Sequence, residues 1–223
     1  SHFMEYCEQN AKFNGWNFYQ DSNGVWSSYP CEDGWYGITC DAKAPEARIV
    51  GLSLSHSNLK GTFPEGIAGA LDQLRTLDLS HNAMTGAVPW SLLQIITLKD
   101  LDLSFNSFEG QIGDLKEDPA LSTLLLSNNQ FSGPLPDFSK QQLLRNVSFS
   151  SNAFTGGLSS LNTIGTTFGY PIYVDVSRNM LSGQLQACGY AADYAATLIA
   201  SHNSLSCYAS CWNIDDVMHA RLV

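Results

Sequence analysis

Ser55, Ser80, Ser104, Ser127, Ser150, Ser177 and Ser201 recur at near-regular intervals, and His56, His81 and His202 follow three of them directly. Hydroxyls beside imidazoles could do nucleophilic chemistry, provided that a base within hydrogen-bond reach activates the oxygen and a third group orients the base. No such base recurs beside the seven serines, and His2 and His219 lie far from them near the two ends. Hydrogen bonding along a stack is therefore the role expected of the hydroxyls. Cys207, Cys211 and His219 could begin a zinc site but lack a fourth ligand at usual spacing. The expectation is a chain that is not an enzyme, with no catalytic residue, no metal site and no cofactor.

Two other groups remain. Asp78, Asp100 and Asp102 form an acidic set that could receive a Lys or Arg from a partner, or a calcium ion, and Asn146-Val147-Ser148 is the one N-x-[ST] glycosylation acceptor. What either can do depends on the elements that carry it. Those elements are written in a repeat: Leu74-Arg75-Thr76-Leu77-Asp78-Leu79-Ser80-His81-Asn82-Ala83-Met84-Thr85-Gly86-Ala87-Val88-Pro89 is one copy of a pattern with a period near 24 residues. Seven apolar pairs, Leu52/Leu54, Leu77/Leu79, Leu101/Leu103, Leu124/Leu126, Val147/Phe149, Val174/Val176 and Leu198/Ala200, alternate with outward positions as strands with one buried face do. Asn82, Asn106, Asn129, Asn152, Asn179 and Asn203, with Ser57 in the first copy, stand where a sharp turn leaves backbone groups that an amide can satisfy. Gly61, Gly86, Gly110, Gly133, Gly156 and Gly183 mark a position that needs a special conformation or a close approach.

The unit L-x-x-L-x-L-S-x-N-x-L-x-G-x-I-P resembles the plant-type extracellular leucine-rich repeat. Cys31…Trp35-Tyr36-Gly37-Ile38-Thr39-Cys40 resembles the cap that precedes such arrays. The resemblance implies an α/β repeat solenoid: a right-handed superhelix of about seven repeats, with a parallel concave β-sheet and disulfide-stabilised caps. The expected organisation is an aromatic and cysteine-bearing cap over residues 1–48, repeats over 49–206 and a second cap over 207–223. Trp26, Trp35 and Tyr36 are expected to cover the open apolar end of the first repeat.

The chain has 223 residues, 44% of them apolar, and a formal net charge of −10. That charge argues against nucleic acid and anionic lipid as partners, since both require clustered Lys and Arg. No run of about 18 apolar residues occurs, so membrane contact is expected only through an anchor outside this sequence. Ser1-His2-Phe3-Met4 reads as an expression remnant ahead of a trimmed mature chain. Six cysteines in terminal clusters suggest oxidised pairs and an extracellular or cell-surface setting. Cys7, Cys31 and Cys40 belong to one end and Cys188, Cys207 and Cys211 to the other, separated by strand steps that total roughly 30 Å. Each end thus holds one bridge and one leftover cysteine, a buried thiol, a partner in an inter-chain disulfide or oligomer, or one whose mate lies elsewhere. The resemblance selects Cys31–Cys40 for the first bridge; for the second, Cys188 pairs with Cys207 or Cys211.

Concave-facing residues expected to meet a partner are Thr76, Asp78, Asp100, Asp102, Thr123, Leu125, Tyr173 and Asp175. The asparagine spacings are 24, 23, 23, 27 and 24, which places an insertion in the coil between Asn152 and Asn179; Thr163–Tyr170 is the segment expected to hold it, with Phe168 and Tyr170 as candidate loop contacts. A glycan on Asn146 would project from mid-sheet and push the interface elsewhere. The reading is a non-catalytic extracellular recognition module, a receptor, co-receptor or cell-surface ectodomain that binds a protein or peptide. The alternative is a secreted leucine-rich repeat inhibitor of a cell-wall glycosidase, docking through the acidic patch.

Overall fold

Each apolar pair becomes one rung of a ladder of parallel strands. The computed structural model describes residues 19–20, 22, 26–27, 29–41, 47–63, 69, 71–115, 120–163, 172–185 and 196–207. Ahead of the ladder, β1 (Tyr19–Gln20) and β2 (Trp26–Ser27) pair antiparallel, and β3 (Ile38–Cys40) pairs antiparallel with the first rung. From there every repeat supplies two strands, one to a long sheet and one to a back sheet. They are β4 (Ile49–Ser53) with β5 (Lys60–Gly61), β6 (Thr76–Asp78) with β7 (Ala83–Gly86), β8 (Asp100–Asp102) with β9 (Ser107–Gly110), and β10 (Thr123–Leu125) with β11 (Gln130–Pro134). Next come β12 (Asn146–Ser148) with β13 (Ala153–Thr155), β14 (Ile172–Asp175) with β15 (Ser182–Leu185), and β16 (Ala196–Ile199) with β17 (Ser204–Cys207).

The long sheet runs β16-β14-β12-β10-β8-β6-β4-β3, with seven parallel strands and the antiparallel β3 at its edge. The back sheet is continuous only from β5 to β13, and β15-β17 stand as a separate pair. Counted by strands of the long sheet the array has the expected seven repeats; counted by uninterrupted two-sheet turns it has five. The return segments of two coils carry 3-10 helices, Trp90–Gln94 and Ser159–Thr163, so the helical component of the expected α/β class is 3-10 there.

Between the sheets lies one apolar core. Phe108, Phe131 and Phe154 occupy the same position in successive coils and are fully buried, with centroids 6.2 Å apart at each step. Trp35 is buried and Tyr36 is 45% exposed, while the side chain of Trp26 lies outside the described residues. Cys31 and Cys40 are joined across a Cα separation of 6.0 Å, the bridge that the cap resemblance implied.

The asparagine ladder is built as expected. Asn82 Nδ2 donates to the carbonyls of Leu54 (2.9 Å) and Leu79 (2.8 Å), and its Oδ1 accepts from the backbone of Ser57 and Leu59 in the preceding coil. Asn106, Asn129, Asn152, Asn179 and Asn203 repeat the arrangement. Buried backbone groups at a sharp turn are thereby paired without helix or sheet. The repeat glycines have φ from 77° for Gly133 to 92° for Gly183, a region that a side chain would strain.

Candidate recognition surface on the long sheet

Because Leu77, Leu101, Leu124 and Val147 all point into the core, the residues on either side of them point out. The register aligns them in two columns. Thr76, Asp100, Thr123, Asn146 and Tyr173 form the first, and Asp78, Asp102, Leu125, Ser148 and Asp175 the second. All eight sheet residues expected from the sequence stand on this face. Thr76 and Tyr173 are exposed and the other six half-buried.

The columns are not equally free to bind. Asp78 Oδ1 accepts hydrogen bonds from the Ser80 backbone (3.0 Å) and hydroxyl (2.7 Å), and Asp102 does the same for Ser104 (2.9 and 2.6 Å). Asp175 Oδ1 accepts from the Ser177 backbone at 2.9 Å. These carboxylates close the chain's exit from the strand through one oxygen; the second oxygen of Asp78 also accepts a long bond of 3.5 Å from the Ser53 hydroxyl. The serine hydroxyls accordingly do not bond along the stack as expected. Those of Ser80 and Ser104 bond to the aspartate two residues back and that of Ser150 to the Ser148 hydroxyl, all within their own turn, a carboxylate being a stronger acceptor than a hydroxyl one coil away. The backbone at this position runs along the stack instead: the carbonyls of Ser80, Ser104, Ser127 and Ser150 accept from the next residue of the preceding coil.

Asp78 and Asp102 face each other directly across neighbouring strands, an arrangement that leaves two like charges about 4.8 Å apart. Among the described residues no cation stands in ion-pair range of Asp78, Asp100 or Asp102. The same residues contain no group of three or more His, Cys, Asp or Glu arranged to hold a metal, so the calcium option gains nothing from the geometry. Further along the face, partial desolvation and then the Asp175 carboxylate push the Tyr173 hydroxyl above its ordinary pKa.

One lateral column was not legible in the repeat pattern. His56, His81, Phe105, Asn128, Ser151, Arg178 and His202, the residues between the ladder serine and the ladder asparagine, all have φ between 52° and 57°. The left-handed turn stacks the rings of successive coils: His56 on His81 and His81 on Phe105, each at 4.2 Å and 10° between planes. Near-parallel rings aim their nitrogen lone pairs along parallel lines rather than at one point, which suits stacking and not metal ligation. The variable letter in S-x-N carried no periodic signal; its tolerance of Asn, His and Ser was the only hint.

Asn146 sits in β12 on the outward side, and its amide, unlike those of the ladder asparagines, makes no side-chain hydrogen bond among the described residues. Phe168, Tyr170, Cys188 and Cys211 lie outside the described residues, and Cys207 ends β17 with its side chain also outside them.

The Leucine Rich Repeat family matches residues 73–95 and 120–141. Phytosulfokine receptor 1 of Arabidopsis thaliana is 37% identical over 78 residues, covering 35% of this chain, which spans only 8% of that receptor's length. Among solved structures, the ectodomain of the receptor kinase SOBIR1 from Arabidopsis thaliana is 27% identical with a TM-score of 0.57, covering 80% of this chain and 91% of that one. A TDR receptor is 26% identical with a TM-score of 0.60, covering 69% of this chain and 26% of its own. Repeat, asparagine ladder, capping disulfide and these likenesses agree: the chain is a solenoid of leucine-rich repeats similar to those of plant receptor ectodomains.

Proposed function

We propose that this chain is the non-catalytic, extracellular recognition part of a receptor or co-receptor and that it binds a protein or peptide on its long sheet. The observation that carries the reading is the outward double column over β6, β8 and β10. There, among the described residues, no cation pairs with Asp78, Asp100 or Asp102, and Thr76 and Thr123 offer hydroxyls beside them. Seven rungs make a short face, better matched to an extended segment of a partner than to an enclosed small molecule. The likeness to receptor ectodomains supports the same class of function. A segment carrying Lys or Arg is the complement of this part of the face.

The test is capture of secreted and surface proteins or peptides on the immobilised chain, followed by affinity measurement for Asp100→Asn and Thr76→Ala against the unaltered protein at low and high salt. Loss of affinity in both variants, with salt weakening the unaltered complex, is the expected result. A partner whose affinity neither substitution changes binds somewhere else on the solenoid.

A further inference from the structure

Asn146 is the one outward asparagine of the long sheet that stands at residue 1 of an N-x-S triplet. The strand geometry puts Ser148 on the same face with Val147 buried between them. Its amide is uncommitted, whereas the amides of Asn129 and Asn152 in the adjoining ladder each donate to three carbonyls. Across the next strand pairing, Tyr173 is its direct partner and is 41% exposed, so an aromatic ring stands one strand step, about 4.8 Å, from the amide. On the other side the partner is Thr123, a small residue. A group on Asn146 thus has an exposed aromatic residue as its neighbour on β14 and a small, half-buried threonine on β10. The apolar face of a pyranose packs well against a ring of this kind.

We infer that Asn146 carries an N-linked glycan whose first sugar packs on Tyr173, covering the β12–β16 part of the long sheet and leaving β4–β10 as the face open to a partner. The inference rests on the extracellular reading above. In the modification, the Asn146 side-chain nitrogen forms a bond to the anomeric carbon of an oligosaccharide carried on a lipid pyrophosphate. The bond from that carbon to the pyrophosphate breaks, the lipid pyrophosphate leaves with the electron pair, and the amide loses one proton. The division of the face is consistent with its chemistry. Three of the four outward aspartates, Asp78, Asp100 and Asp102, lie on β6 and β8, while the glycan-covered side holds Asp175 beside Tyr173 and, from β16, Ile199.

The experiment is to secrete the 223-residue chain from a eukaryotic host and map the peptide that contains Asn146 by mass spectrometry before and after enzymatic deglycosylation. A sugar mass on Asn146 that disappears in both Asn146→Gln and Ser148→Ala, with Cys31–Cys40 still formed, is the expected outcome. A secreted, disulfide-bonded chain with bare Asn146 overturns the glycan alone, whereas retention in the cell with reduced Cys31 and Cys40 overturns the extracellular reading with it. Packing on the ring is read separately. Deglycosylation should lower Tm in the unaltered chain and leave Tyr173→Ala unchanged, and an equal drop in both sinks the contact with Tyr173.

Discussion

The Oδ1 atom of Asn179 accepts a hydrogen bond from the backbone of Phe154, 25 positions earlier and one coil away, at 3.0 Å. The same amide donates to the carbonyls of Phe149, Val176 and Ser177. One buried side chain therefore ties the turn of its own coil to the turn of the coil before.

Asn179→Ala leaves the Phe154 N–H and the carbonyls of Phe149, Val176 and Ser177 without the partner that Asn179 supplies. The expected loss is about 3 kcal/mol, since each unsatisfied buried group costs on the order of 1–3 kcal/mol and some relaxation follows. Guanidinium unfolding monitored by circular dichroism measures it. A loss under about 1 kcal/mol would mean that the turns hold without their amides.

Asp78 and Asp100 look alike in the sequence and differ in the fold. Asp78 holds the Ser80 turn, whereas Asp100 has one long contact of 3.4 Å from the Ser122 hydroxyl. Asp78→Ala should cost about 1–2 kcal/mol and Asp100→Ala under about 0.5 kcal/mol. Asp78→Asn, which keeps the acceptor oxygen and removes the charge, should recover most of the loss. Equal destabilisation by Asp78→Ala and Asp100→Ala would contradict the division.

Phe131 lies fully buried between Phe108 and Phe154. Phe131→Ala leaves a cavity in the middle of the stack and should cost about 3–5 kcal/mol. In a solenoid each coil supports only its neighbours, so the damage should be local at first. Hydrogen exchange ought to speed up in β9, β11 and β13 before it does in β4.

Ser151 holds φ at 56°, where a β-branched side chain clashes with its own backbone. Ser151→Val should destabilise by about 1–2 kcal/mol, while Ser151→Asn should be neutral, Asn being tolerant of the left-handed region. Thermal melts of the two variants compare them directly.

Asp41 supplies the pH dependence. The Arg48 backbone N–H donates to its Oδ1 at 3.0 Å, and that bond holds the carboxyl below the usual range; desolvation opposes it, and the attraction and hydrogen bond of the guanidinium add to the lowering. A folded-state pKa below the unfolded one contributes stability above the ordinary carboxylate pKa and loses it as pH falls through the lowered value. The group is exposed, so the effect is local to the cap. Carbon-detected NMR titration should show Asp41 protonating below the ordinary carboxylate range, and Arg48→Ala, which removes the guanidinium but keeps the backbone N–H, should undo only part of the lowering.

Much of the architecture was written in the chain. The L-x-L pairs determined seven rungs, because alternation buries one face of each strand and stacking is the only way to hide those faces together. The asparagines and glycines were legible for the same reason: Asn82 and Gly86 answer needs local to one turn, a set of unpaired backbone groups and a positive φ, which the same residue types meet in every copy. The outward face followed from the strand period alone, so Thr76 and Tyr173 could be placed on it before any coordinates.

What tertiary structure decided were relations between coils. Asp78 and Asp102 share an acidic label in the sequence, yet only the turn geometry shows one oxygen of each locked to a serine. His56, His81 and Phe105 lie 24 or more positions apart, and nothing in their types predicted that a left-handed turn repeated at each rung would stack their rings. Asn146 and Tyr173 likewise become neighbours only through strand register, which brings residues 27 apart to one strand step. A repeat fixes what each unit must do for itself. Contacts between units depend on twist, register and rotamer, which are properties of the stack.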